Sequence, residues 1–237
     1  SARIFEEQNP ETFVDNQTTS TVWNLTGTIS GTSQGYNSGT GERSQVSAIS
    51  ADGVFLATSG GNPYEVWKKG SSWVKIFEGP DNGYGTAGFL AMSYDGNYIL
   101  TLDRVDGNTS TISLMLYNGS SYEVTSAYSI NSTSASAGFS SNGQYFFISD
   151  NNEILKTYFI NSENEGVETG QVSNSHINQS WNFGEGSAIL GDGQRIFTSL
   201  NFEGSRAIGV RMSYAPYDPT NEYHLIERER TWDQCVE

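Results

Sequence analysis

Few residues in this chain combine the type and the spacing that chemistry needs. Gly31-Thr32-Ser33-Gln34-Gly35 fits G-x-S-x-G, which lifts a serine nucleophile onto a strand-to-helix turn. The next residues, Tyr36-Asn37-Ser38-Gly39-Thr40-Gly41, cannot form a helix, so the motif reads as loop. Gly83-Tyr84-Gly85-Thr86-Ala87-Gly88 fits G-x-G-x-x-G, but a dinucleotide fingerprint must open a helix. Its continuation, FLAMSYDGNYIL, reads as a hairpin instead. Ser72 and Lys75 fit S-x-x-K on a strand, where that spacing keeps them apart. Two histidines, His176 and His224, and the single cysteine, Cys235, are too few and too scattered for a zinc centre. Asp103 and Asp106 near Gly107, and the run Asp150 to Glu153, are small acidic clusters without the D-x-D-x-D-G spacing of a calcium loop. They read as solvated turn residues. A carboxylate pair gathered from several repeats stays open, though no spacing points to one. No catalytic residue, metal ligand or cofactor is assigned.

Other residues suit binding better than catalysis. Trp23, Trp67, Trp73, Trp181 and Trp232 read as staples between outer strands, with a sugar-stacking surface as the alternative. Six N-x-S/T sequons stand at Asn16, Asn24, Asn108, Asn118, Asn131 and Asn178. All but Asn24 fall in expected loops or turns, where an N-glycan would mark a secreted protein. Cys235 has no intrachain partner, so with Trp232 it is a candidate intermolecular contact in an oxidising exterior.

The elements that must position these residues come from a repeat. The stretch Val46 to Phe77 alternates four short apolar runs with turn signals, beginning with Asp52-Gly53. Asp-Gly between two such runs predicts a two-residue type I′ hairpin, with both central residues at positive φ. The pattern small residue, bulky residue, usually Ser, any residue, Asp or Asn, Gly recurs, ending at Gly53, Gly96, Gly143 and Gly193. A period of roughly 40 to 50 residues with four strands each is that of propeller blades. The small position (Ala48, Ala91, Gly138, Ala188) is expected against a crowded central channel, and the bulky one (Ile49, Met92, Phe139, Ile189) between blades. The fold class is therefore all-β, a single β-propeller domain over 1–237 with four-stranded antiparallel blades.

The expected blades are 45–78, 89–130, 137–172 and 187–227, the outer half of the third being less regular. Residues 1–30 read as a partial blade, with Ala2 to Phe5 as the strand after a turn and Thr12 to Asp15 and Thr21 to Ile29 outside it. A tail, 228–237, is left over. If Thr231 to Val236 completes the N-terminal half-blade, five blades close into a ring, and the exposed edges of an open propeller are avoided. Ser1 is preceded by neither an initiator Met nor a signal-like segment, which reads as a processed or trimmed end.

Composition narrows the partners. A formal net charge of −15 disfavours nucleic acid, whose phosphates need clustered Lys and Arg. No apolar run reaches the length of a membrane span.

The unit SAISADGVFLATSGG…YEVWKKGSSWVKIFEG resembles the FG-GAP-like and WD40-like propeller repeats, including those of the integrin-α head, found in surface proteins of protists and marine bacteria. The resemblance is good over 45–78 and 89–130, moderate over 137–160 and weak over 187–213. The integrin calcium loop is missing, so no metal site is carried over. The resemblance implies a non-enzymatic, extracellular structural or adhesive protein, a self-associating subunit of a surface filament or coat. A carbohydrate-binding propeller using Tyr36 and Tyr84 is one alternative, and a propeller hydrolase or lyase is another.

Overall fold

A computed structural model describes residues 2–8, 22–29, 47–58, 64–80, 88–132, 135–150, 154–173, 182–189, 195–201, 207–213 and 226–229. Among them every regular element is a β-strand. The first sheet is β1 (Ala2–Gln8) with β2 (Val22–Ile29). The second is β3 (Ser47–Ile49), β4 (Phe55–Thr58), β5 (Glu65–Lys69) and β6 (Trp73–Glu78). The third is β7 (Gly88–Met92), β8 (Tyr98–Arg104), β9 (Ser110–Tyr117) and β10 (Tyr122–Ile130). The fourth is β11 (Ser136–Phe139), β12 (Tyr145–Ser149), β13 (Ile154–Ile160) and β14 (Gly166–Ser173). The fifth is β15 (Asn182–Ile189), β16 (Arg195–Asn201), β17 (Ala207–Ser213) and β18 (Ile226–Glu229). The last four sheets are antiparallel meanders in chain order. Their first strands lie side by side, β3 next to β7, β7 next to β11, β11 next to β15.

In the second, third and fourth sheets the hairpin between first and second strand is built around a serine. Ser50 Oγ accepts the Phe55 N–H at 2.9 Å and donates to Asp52 Oδ1 at 2.6 Å, and that oxygen accepts the Val54 N–H at 2.9 Å. Ser93, Asp95, Asn97 and Tyr98 repeat the arrangement, and so do Ser140, Asn142, Gln144 and Tyr145. This corrects the expected type I′ turn. Only the glycines take positive φ, 70° at Gly53, 73° at Gly96 and 70° at Gly143. Because the hydroxyl replaces the serine carbonyl opposite the second strand, that carbonyl is released to close a β-turn with the glycine N–H at 2.9 Å in all three sheets.

The core lies between sheets. Tyr64, Val66, Ile99, Met115 and Tyr122 fill the contact between the second and third sheets, with Met92 packed on them. Leu100, Leu102, Ile112, Leu114, Phe146, Ile148, Tyr158 and Ile160 fill the next, with Phe139 against it. Alternation on β8 sends Ile99 to one neighbour and Leu100 to the other, as the pleat requires. Two expectations change. The small positions Ala48 and Ala91 face neighbouring sheets rather than a channel, and a Cβ at Gly138 would meet Phe147 of β12, its cross-strand partner, at 2.7 Å. Ile49 is 55% exposed, whereas Met92 and Phe139 in the equivalent places pack into the clusters between sheets.

The outer half of the fourth sheet is regular, β13 pairing with β14 along its length through a turn where Asn164 takes φ 64°. In the N-terminal sheet β1 pairs directly with β2, so no strand at Thr12 to Asp15 separates them. Those four residues, and the tail beyond Glu229, lie outside the described residues.

Candidate functional site

The two ends of the sheets differ in chemistry. The Ser-Asp-Gly turns form one end, and their acids are spent on structure. The Asp52 carboxyl is held below its ordinary range, first by the Ser50 hydroxyl and then by the Val54 N–H.

The other end carries the candidate site. The second strands finish there, and Asp103 on β8 and Asp150 just past β12 occupy equivalent places. Asp150 is bound locally, its Oδ1 accepting the Ile154 N–H at 3.1 Å. Asp106 is bound likewise, accepting the N–H groups of Asn108 and Thr109 at 2.8 Å, which hold it below the usual carboxylate range. Arg104 ties the same loop through the carbonyls of Asp106 and Gly107, at 2.7 and 3.0 Å.

Asp103 differs. Its Oδ1 is buried without a hydrogen-bond partner, and burial raises its carboxyl above the ordinary value. Alternation along β8 puts it on the face of Ile99 and Thr101, toward the second sheet. There Tyr64 is 1% exposed, its hydroxyl within hydrogen-bonding range of Thr101. Burial, then the Asp103 charge, push Tyr64 up far beyond neutral pH, with Thr101 opposing. The arrangement is one poorly solvated carboxyl beside two hydroxyls at an interface between sheets. It can hold a proton or accept a hydrogen bond. The sequence reads Asp103 as a solvated turn residue, whereas it lies within β8 with a buried carboxyl oxygen, and sequence reasoning missed Tyr64 and Thr101. The available signal was Thr101, a hydroxyl inside the apolar run of Tyr98 to Leu102.

The other expected residues divide plainly. Trp67 and Trp73 pack with Leu56 on the second sheet, as staples of its outer strands. Trp23 and Asn24 lie on β2. Asn108, Asn118 and Asn131 are exposed. Asn118 sits in the turn before β10, its Oδ1 accepting the Ser120 and Ser121 N–H groups and its Nδ2 donating to Glu123 at 2.6 Å. Asn16, Asn178, Tyr36, Tyr84, Trp181, Trp232, His176, His224, Cys235 and both glycine-rich motifs save Gly88 lie outside the described residues. Among the described residues no group of three or more His, Cys, Asp and Glu is placed to hold a metal ion. No helix there is long and apolar enough to cross a membrane.

The chain matches no protein-family model and no curated protein. It does match solved structures. A protein of unknown function from Desulfotomaculum acetoxidans aligns with TM-score 0.54 and 13% identity over 77% of this chain and 54% of its own. The periplasmic gluconolactonase of Pseudomonas aeruginosa aligns with TM-score 0.51 and 11% identity over 78% and 56%. The β-propeller domain of Swd1 from Myceliophteria thermophila aligns with TM-score 0.50 and 10% identity over 76% and 56%. The fold is a β-propeller. The chain spans about half the length of these propellers, and the likeness establishes the fold and no particular repeat class within it. Each four-stranded sheet is a blade, and the Asp103 site lies between two of them.

Proposed function

We propose that this propeller is a non-enzymatic scaffold that works by binding protein, copies of itself included, in an extracellular structural or adhesive assembly. One observation carries the reading. Among the described residues the carboxylates with resolved partners are committed within their own blade. Asp52, Asp95, Asp106 and Asp150 hold turns, Glu65 and Glu78 hold Lys75, Glu168 holds Lys156, and Glu123 holds Asn118. Glycoside hydrolysis typically uses a pair of carboxyls left free to reach one substrate. The comparisons do not choose, since one neighbour is a gluconolactonase and another a propeller domain named for no activity, and fold alone does not fix function. β1–β2 is read as part of a fifth blade.

Asp103 favours a second reading, a propeller hydrolase using this raised carboxyl as its acid. A panel of lactones and glycosides separates the two. The scaffold reading expects no turnover above buffer, and self-association by sedimentation of the native protein at increasing concentration. Turnover that Asp103→Asn abolishes would establish the hydrolase instead. Sugar, in protein from a eukaryotic source, is expected on the exposed Asn118 and Asn108 before Asn24 on β2. Intact-glycopeptide mass spectrometry checks this, and bare Asn118 and Asn108 would remove a support for the extracellular reading.

A further inference from the structure

In an Asn-Gly pair the glycine nitrogen can approach the preceding side chain closely, because glycine has no Cβ to obstruct it. The chain holds such pairs at Asn82, Asn118 and Asn142, and the first lies outside the described residues. The other two sit in exposed turns that hold them differently. At Asn118, between β9 and β10, Oδ1 accepts the Ser120 N–H at 3.0 Å, the Ser120 hydroxyl at 2.9 Å and the Ser121 N–H at 2.9 Å. Nδ2 donates to Glu123 Oε1 at 2.6 Å. Backbone donors on one side and a carboxylate on the other fix which atom is the oxygen. Gly119 takes φ 100°, its carbonyl accepts the Tyr117 hydroxyl, and no described group accepts its N–H. At Asn142 the glycine nitrogen is engaged, since the Gly143 N–H donates to the Ser140 carbonyl at 2.9 Å. Its Oδ1 has two donors, the Ser140 hydroxyl at 2.6 Å and the Gln144 N–H at 3.0 Å.

We propose that Asn118 is a self-modifying site, where the Gly119 nitrogen attacks the side-chain carboxamide to give a succinimide that water opens to aspartate or isoaspartate. The bond from the Gly119 nitrogen to Cγ forms and the Cγ–Nδ2 bond breaks. The Gly119 proton passes to solvent, and Nδ2 takes a proton from water and leaves as ammonia. The net change is asparagine and water to aspartate and ammonia. Negative charge builds on Oδ1 in the tetrahedral intermediate, and three donors already converge there as in an oxyanion hole. Exposure of the turn admits the water that opens the ring. The product alters a contact between blades. Aspartate sets a carboxylate against Glu123 in place of an N–H donor, and isoaspartate adds a main-chain bond before Gly119. Either disturbs the turn from which Ser121 Oγ donates to the Ile76 carbonyl on β6 at 3.1 Å. Deamidation also deletes the sequon, so glycan and deamidation at Asn118 exclude each other. None of this depends on the scaffold reading.

Protein made in bacteria, free of eukaryotic glycan, is incubated at neutral pH beside synthetic peptides of residues 113–124 and 137–148. Peptide-mapping mass spectrometry follows aspartate and isoaspartate at Asn118 and Asn142. The expected result is an Asn118 that reacts in the folded protein at least as fast as in its peptide. Asn142 is expected to react about tenfold or more slowly than in its own peptide, because its turn must open first. Ser120→Ala, which removes the hydroxyl donor and keeps both N–H groups, is expected to slow Asn118 about tenfold in the folded protein and less in the peptide. An Asn118 slower in the folded protein than in its peptide, or an Asn142 as fast as Asn118, would overturn the proposal. So would a Ser120→Ala effect equal in protein and peptide, since the acceleration would then belong to the local sequence and not to the turn. The comparison of parent with peptide decides the matter even where the variant fails to fold.

Discussion

Ser93 and Asp95 show how a repeated pair of residues fixes a turn. The hydroxyl is 1% exposed and is what the Tyr98 N–H bonds to, at 2.9 Å. Ser93→Ala leaves that donor buried and unmet, which costs about 1–3 kcal/mol. Asp95→Asn keeps an acceptor oxygen in place, as Asn142 does naturally in the next blade, and is expected to stay within about 0.5 kcal/mol. Urea unfolding of both variants checks the contrast. Asp103 gives the opposite kind of prediction. Burial raises its folded carboxyl above the unfolded value of about 3.9. The resulting stability is therefore full below the unfolded value and is lost as pH rises through the folded one. Asp103→Asn removes the charge, so the variant is expected to gain on the parent as pH rises from 3 to 7. Unfolding curves at the two pH values measure the gap. A gap that shrinks with pH would mean that the charged form is the stabilised one.

At the scale of elements, the contact between β10 and β14 is set by a glycine. Tyr128 donates to the Gly166 carbonyl at 2.9 Å and the Gly166 N–H donates to Ser126 Oγ at 3.0 Å. A Cβ at Gly166 would run into the Tyr128 hydroxyl and sit 2.7 Å from the Phe146 ring. Gly166→Ala is expected to cost about 1–3 kcal/mol by overpacking, and thermal unfolding checks it. A cost near zero would mean that the two blades slide apart freely. Much of this level was legible in the sequence. The strands after Gly53, Gly96 and Gly143 are the apolar runs VFLAT, NYILT and QYFFIS, and their burial comes from being central strands with both faces covered. Asp-Gly alone predicts a type I′ turn, and the serine before it, whose hydroxyl takes the N–H of the second strand, changes that geometry. The single-residue bulges at Thr125 on β10 and Thr169 on β14 were not legible, since both look like ordinary strand threonines. Only the cross-strand register shows each as the extra residue. The candidate site was half legible. Asp103 is visible as an acid but groups with Asp106 as a turn residue, because its burial depends on Tyr64, which reaches it from another blade.

The whole molecule sets a large charge against a layered core. The contact between the third and fourth sheets is a compact cluster in which Phe146 stacks on Tyr158 at 4.8 Å and 8°, so Phe146→Ala is expected to cost about 3–5 kcal/mol. The net charge of −15 works against that packing, because like charges repel more in the compact state than in the expanded one. The described Lys–Glu pairs are few and partly exposed, at 2.9 Å for Lys156 and Glu168 and 3.3 Å for Lys75 and Glu65, and such pairs recover about 0–1 kcal/mol each. Salt weakens both terms, but screening acts on the repulsion of the whole surface once the Debye length falls to about 10 Å near 0.1 M. Raising sodium chloride from about 0.01 M to 0.1 M, which shortens the Debye length from about 30 Å to that value, is therefore expected to raise the midpoint of thermal unfolding. Phe146→Ala should show the same rise from a lower starting point, because repulsion is a property of the surface and not of the cluster. A midpoint that falls with salt would show that local ion pairs outweigh the global charge, and would turn attention to which acids the solvent does not reach.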